Sequence, residues 1–195
     1  MGQPAPTYSD TQTLISADDY LVFERDADER HEFAHGHIWA MAGAQPAHNE
    51  LNYNLNQIIG PVLRQRGCKG YMGDQRVKTK NPSGYLYPDT VAACEPVFDN
   101  SVNPSSLLNP ILLVEVTSES TAGRDHYEKF MLYRQITSLR QYLMLDSESI
   151  HAELYTLNEQ RLWTLYETRD LSAVLDLSSI GCQMPLAEVY AGVEL

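Results

Sequence analysis

The chain has no apolar run approaching ~18 residues, so no membrane-spanning helix is expected. It shows no basic, apolar leader either: Met1 to Thr13 is polar and proline-containing, and does not read as a signal peptide. Cysteine is scarce. Cys68, Cys94 and Cys182 are odd in number and far apart, and no CxxC-type metal spacing occurs. Cys94 lies in an apolar strand and reads as a small core residue, and the expected compartment is a reducing cytoplasm. Positive charge is also scarce. Fourteen Lys and Arg face 26 Asp and Glu, for a net charge of -12, which argues against a broad basic face that grips duplex nucleic acid. The one local concentration of cations spans Arg64, Arg66, Lys69, Arg76, Lys78 and Lys80. It reads either as a solvated, partly strand-forming surface or as a small phosphate-binding edge. No glycine-rich phosphate loop, Ser-His-Asp set or Cys-His set is present.

What is there suits one ordinary domain with a real core: 195 residues, 43% hydrophobic and 21% charged. Residues 1–13 read as a flexible lead and 14–195 as a single domain. Ser16 or Asp18 caps a helix running through Arg25. His35-Gly36 makes a two-residue turn between Glu32-Phe33-Ala34 and the segment His37 to Met41. Residues 47–66 carry Leu51, Leu55, Ile58, Ile59, Val62 and Leu63 at helical spacing, interrupted by Gly60-Pro61. Gly67 and Gly70 end that helix. Strands are expected at 75–80 and 85–94, with Asn81-Pro82-Ser83-Gly84 turning between them. Residues 95–109 read as loop, 111–117 as a strand, 118–123 as a turn and 124–136 as a helix. Segments 141–145, 150–157 and 161–167 read as an antiparallel meander. A strand at 173–177 and a short helix at 185–191 close the chain. This order predicts an α/β (α+β) fold with a central mixed sheet.

The chemistry concentrates on two acids. In Ile111-Leu112-Leu113-Val114-Glu115-Val116-Thr117, apolar residues occupy both parities, so both faces of the strand are covered and Glu115 points into a dry environment. An uncompensated carboxylate there costs several kcal/mol or protonates. The run Leu86 to Cys94 places Asp89 beside another apolar stretch. Two carboxylates on neighbouring strands suit a divalent metal ion. On the helix that follows, about 100° per residue puts Lys129 between Tyr133 and Ile136, on the face that packs on the sheet. Lys129 is open between a snorkelling stem and a site residue. His48 is open between capping or packing and chemistry. His35 and His37 flank a turn and read as exposed, and His126 and His151 read as surface residues.

Taken in order, Tyr87-Pro88-Asp89, Leu113-Val114-Glu115-Val116-Thr117-Ser118 with Ser120-Thr121, Arg124-Asp125, Glu128-Lys129 and Leu132-Tyr133 resemble the Uma-two family of restriction endonucleases. That family belongs to the PD-(D/E)XK nuclease superfamily. The stretch Gln141 to Asp146 is similar to a later strand of the family. His31-Glu32-Phe33 with Gly36-His37-Ile38 resembles its first hairpin, and Pro46 with His48 the start of its long helix. The resemblance covers roughly residues 16–190. It implies a restriction-endonuclease-like fold, with a central mixed β-sheet flanked by helices. It also implies that Asp89 and Glu115 bind Mg²⁺ or Mn²⁺ and hold a water that attacks a DNA phosphodiester. The superfamily's lysine two positions after the second acid is here Thr117, and Lys129 is the expected replacement. Glu32 and Gln75 are candidates for the same cleft, Glu32 being otherwise a solvent-facing hairpin charge. A duplex cutter needs two centres, so a homodimer is expected. The rivals are a catalytically silent homolog, a protein-interaction module and a hydrolase of RNA or another phosphodiester.

Overall fold

Ser16 starts the first helix, α1 (Ala17–Asp26), by accepting the Asp19 N–H at 3.1 Å, and Asp18 and Asp19 suit the positive end of the helix dipole. This computed structural model describes residues 14–41, 43–80, 84–118 and 125–195, with the side chains of 125 and 126 excepted. The expected lead at 1–13, most of the 81–84 turn and most of the 118–123 turn lie outside the described residues. Tyr20 of α1 is fully buried, and its hydroxyl donates to the His31 carbonyl at 2.7 Å. That bond seats α1 on a hairpin of β1 (His31–Ala34) and β2 (His37–Ala40). His35 and Gly36 both take positive φ, 52° and 84°, as the turn between two right-twisted strands requires.

The long helix α2 (Pro46–Gln65) opens on proline, whose missing N–H costs nothing at that position, and continues through Pro61. Leu51, Leu55, Ile59 and Leu63 form its buried stripe. Seven strands follow: β3 (Cys68–Met72), β4 (Val77–Lys78), β5 (Tyr85–Leu86), β6 (Thr90–Cys94), β7 (Phe98–Asp99), β8 (Ser106–Leu107) and β9 (Leu112–Thr117). A π-helical turn, Asp125–Lys129, leads into the short helix α3 (Phe130–Tyr133). The chain ends with β10 (Gln141–Asp146), β11 (Ala152–Leu157), β12 (Trp163–Thr168), β13 (Val174–Leu177), β14 (Cys182–Pro185) and α4 (Leu186–Val189).

The main sheet has the order β12-β11-β10-β9-β6-β3. Within it β9 and β10 are parallel and every other described pairing is antiparallel. A smaller sheet, β2-β1-β5-β4-β8-β7, joins the hairpin to the short strands, and β13 pairs with β14. The architecture is mixed α+β, as the element order implies. Alternation along β9 divides the core. Leu112, Val114 and Val116 pack with the α2 stripe, and Leu113 packs with Phe130, Tyr133, Tyr142 and Met144 on the opposite face. None of the described helices is long and apolar enough to cross a membrane.

Five expectations need correction, the first being that residues 95–109, read as loop, carry the short strands β7 and β8. The helix over 124–136 is two short pieces, a π turn and a single α turn. The strand over 85–94 is broken at Tyr87-Pro88-Asp89, since proline has no N–H to give a ladder. The glycine-bearing segment after α2 is a strand, β3. Cys94 is not a lone core thiol: it is its register partner Cys68 to which it is bonded, joining β6 to the edge strand β3.

Candidate active site

Glu115 lies at 3% exposure on β9, with both sides of the strand covered as its neighbours demand. Its Oε1 accepts from Lys129 Nζ at 3.1 Å and from the Tyr133 hydroxyl at 2.9 Å. Lys129 Nζ also lies 3.1 Å from Glu32 Oε1. One ammonium therefore bridges two buried carboxylates, brought together from β1 and β9. Burying three charges costs several kcal/mol per ion, and only close, hydrogen-bonded geometry recovers it. Glu32 also accepts the Tyr87 N–H at 3.1 Å. It is not a solvent-facing hairpin charge: it is 3% exposed.

Lys129 is the last residue of the π turn, and Tyr133 follows one helical turn later, so both reach the same carboxylate. A π-type turn widens the helix locally and recurs at functional sites. The Tyr133 phenol is held well above its ordinary pKa, first by burial and then by the negative fields of Glu115 and Glu32. It remains a donor wherever the fold persists.

Asp89 stands just before β6, after the break at Pro88, and its carbonyl accepts the Gly73 N–H at 3.0 Å. Its Oδ2 accepts the Val116 N–H at 2.7 Å, one residue beyond Glu115, and lies 3.1 Å from His48 Nε2 near the start of α2. His48 thus joins the candidate site, while its buried Nδ1 has no hydrogen-bond partner among the described residues. Gln75 is engaged elsewhere, its amide donating to the carbonyls of Arg76 and Ser105.

Sequence reasoning missed Tyr133 as a partner of Glu115, and missed Glu24 altogether. Glu24 is fully buried on α1 and accepts from the Tyr87 hydroxyl at 2.8 Å and from the His31 N–H at 3.2 Å. Tyr87 therefore serves Glu32 with its N–H and Glu24 with its hydroxyl. Spacing offered a signal for both missed residues: Glu24 is four positions from buried Tyr20, and Tyr133 four from Lys129.

The described donors Glu32, Asp89 and Glu115 are all carboxylates. Carboxylate oxygens are the ligands that hard cations such as Mg²⁺ or Mn²⁺ prefer, but among the described residues these three do not gather one ligand atom each within the reach of a single ion.

The chain matches the model of the Uma2 family, described as "Putative restriction endonuclease", over residues 17–187. It is 36% identical over 170 residues to the uncharacterized protein sll1609 of Synechocystis, covering 86% of this chain and 95% of that one. It is 30% identical over 181 residues to the uncharacterized protein slr1290 of the same organism, covering 92% and 93%. Among solved structures, it resembles a protein from Anabaena variabilis described as "a putative nuclease belonging to DUF820". The TM-score is 0.74 at 11% identity, over 90% of this chain and 98% of that one, a likeness of fold.

Proposed function

Because the chain belongs to the Uma2 family, we propose that it is a metal-dependent endonuclease hydrolysing DNA phosphodiester bonds. The observation that carries this reading is the buried Glu32–Lys129–Glu115 bridge, with Asp89 seated on the backbone next to Glu115. Asp89 and Glu115 would hold Mg²⁺ or Mn²⁺, with Glu32 beside them. When bound, the metal supplies an acidified water and neutralises charge developing on the phosphoryl oxygens. The rest is the work of the chain. Tyr133 fixes the Glu115 carboxylate by donating to Oε1. His48 and the Val116 N–H hold Asp89 in one orientation. Lys129, delivered from the π turn, takes the role that Thr117 cannot fill: it orients the attacking water and sets a positive charge beside the pentacoordinate phosphorus of the transition state. Two such centres are needed to cut a duplex, so the working form is a homodimer.

Nicking of supercoiled plasmid at low salt, with Mg²⁺, Mn²⁺ or chelator, tests this. Expected is weak, metal-dependent cleavage, abolished by Asp89→Ala or Glu115→Ala. It should be weak even at low salt, because a protein of net charge -12 gains little from counterion release. Equal nicking by wild type and variants would mark a contaminant. One observation favours a second reading, a catalytically silent member with a regulatory or structural role. The ammonium already satisfies Glu115 Oε1 and Glu32 Oε1, so the network is stable as it stands. No cleavage, together with no Mg²⁺ or Mn²⁺ bound by calorimetry, would select that reading.

A further inference from the structure

The active-site face of the main sheet carries a second group of ligating side chains. We propose that His151, Glu153 and Glu167 form a binding site for a borderline divalent transition metal, Zn²⁺ by preference, distinct from the acidic centre. His151 Nε2 lies 2.9 Å from Glu167 Oε1 and 3.6 Å from Glu153 Oε1. One ligand atom from each residue falls within 4.8 Å of the others. Ligands on one tetrahedral zinc at about 2.0–2.2 Å sit about 3.3 Å apart, so small side-chain adjustments close the set.

The sheet register supplies an independent argument. Glu153 and Glu167 are direct partners across the β11–β12 ladder. Like charges facing each other in this way destabilise an antiparallel pair. Here water screens them poorly, since the Glu153 side chain is only 9% exposed. A cation on that pair turns the repulsion into attraction, and the imidazole completes the donor set. One nitrogen and two carboxylate oxygens suit zinc and leave a fourth position for water, whereas Mg²⁺ and Ca²⁺ prefer oxygen alone. Two of the ligands stand on paired strands, so their spacing is built into the backbone. Beyond the ligands, the Tyr155 hydroxyl donates to Glu153 Oε2 at 3.3 Å, and its ring packs 4.3 Å from that of Phe130. Such outer partners orient metal-binding carboxylates.

The same register separates this site from the first. Glu115 is the partner of Met144, Met144 of Glu153, and Glu153 of Glu167, so all four lie in one row on one face. Two strand spacings, about 10 Å, divide Glu115 from Glu153. The two ions of a two-metal hydrolase sit about 3.5–4 Å apart, so this ion takes no part in such a centre. Its effect is to clamp β11 to β12, and it does not depend on the nuclease reading.

Zinc titration by calorimetry tests the site in wild type, Asp89→Ala, His151→Ala and Glu167→Gln, each confirmed folded by circular dichroism. Expected is a zinc equivalent retained in Asp89→Ala, and weakened at least tenfold in His151→Ala and Glu167→Gln. Zinc should also raise the thermal midpoint of wild type but not of Glu167→Gln. The Glu167 side chain is half exposed, so Glu167→Gln decides the matter if His151→Ala fails to fold. Zinc bound equally by wild type and Glu167→Gln, or not bound by wild type, overturns the proposal.

Discussion

Lys129 gives the residue scale its sharpest test, because one ammonium answers for two buried carboxylates. Lys129→Met leaves Glu32 and Glu115 facing each other without it, and should cost about 3–5 kcal/mol in urea unfolding besides abolishing cleavage. Tyr133→Phe removes one donor to a charged acceptor and should cost about 1.5–3 kcal/mol by the same measurement. Burial, before any other cause, raises the phenol pKa of Tyr20, Tyr87 and Tyr133. The sign follows from linkage. A phenol with a raised folded pKa stabilises fully below its unfolded value near 10, and that stability is lost as pH rises, because the unfolded chain ionises first. In an alkaline titration followed by tyrosinate absorbance, these three phenols should ionise together with unfolding rather than before it. Much of this was legible in single residues. Glu115 announced its burial through apolar neighbours of both parities, and Lys129 its direction through helical spacing. The His48 contact with Asp89 and the His151 cluster were not legible, because each depends on partners set by tertiary pairing.

At the scale of elements, legibility followed length. The helix 17–26, the 46–65 helix, the first hairpin and the 141–168 meander each span enough residues to show a period or a turn signature. The two-residue strands β4, β5, β7 and β8 carry no period, and β3, which follows Gly67 and holds Lys69 and Gly70, resembles a loop in sequence. The link between Cys68 and Cys94 was hidden because only cross-strand register brings them together. It closes a loop of 26 residues and pins an edge strand, so Cys68→Ser with Cys94→Ser should lower stability by about 3 kcal/mol on denaturant unfolding. The hairpin turn makes its own prediction. Gly36 holds φ 84°, and an added Cβ would lie 3.0 Å from Leu14, so Gly36→Ala should cost about 1–2 kcal/mol and show as a lower thermal midpoint.

For the whole molecule, the α+β class with a central mixed sheet followed from element order and the flanking helices from the family resemblance, but the pairing of strands followed from neither. Composition cannot say that β9 lies beside β10, nor that they run the same way. If the acidic centre cleaves a duplex, the homodimer should appear in sedimentation at the concentrations used for nicking, and a strictly monomeric protein should leave nicks but few double-strand breaks. The parallel pairing of β9 with β10 has a further consequence. After β9 the chain must travel back along the sheet before β10 can begin, and this return path carries the π turn and α3 over the face that holds Glu115. Any residue on that path whose turn comes to rest above the carboxylate will serve it. On the proposed nuclease reading, topology fixes where the ammonium sits in space and leaves its place along the chain free, so that Lys129 would supply the charge that Thr117, two positions after Glu115, does not carry.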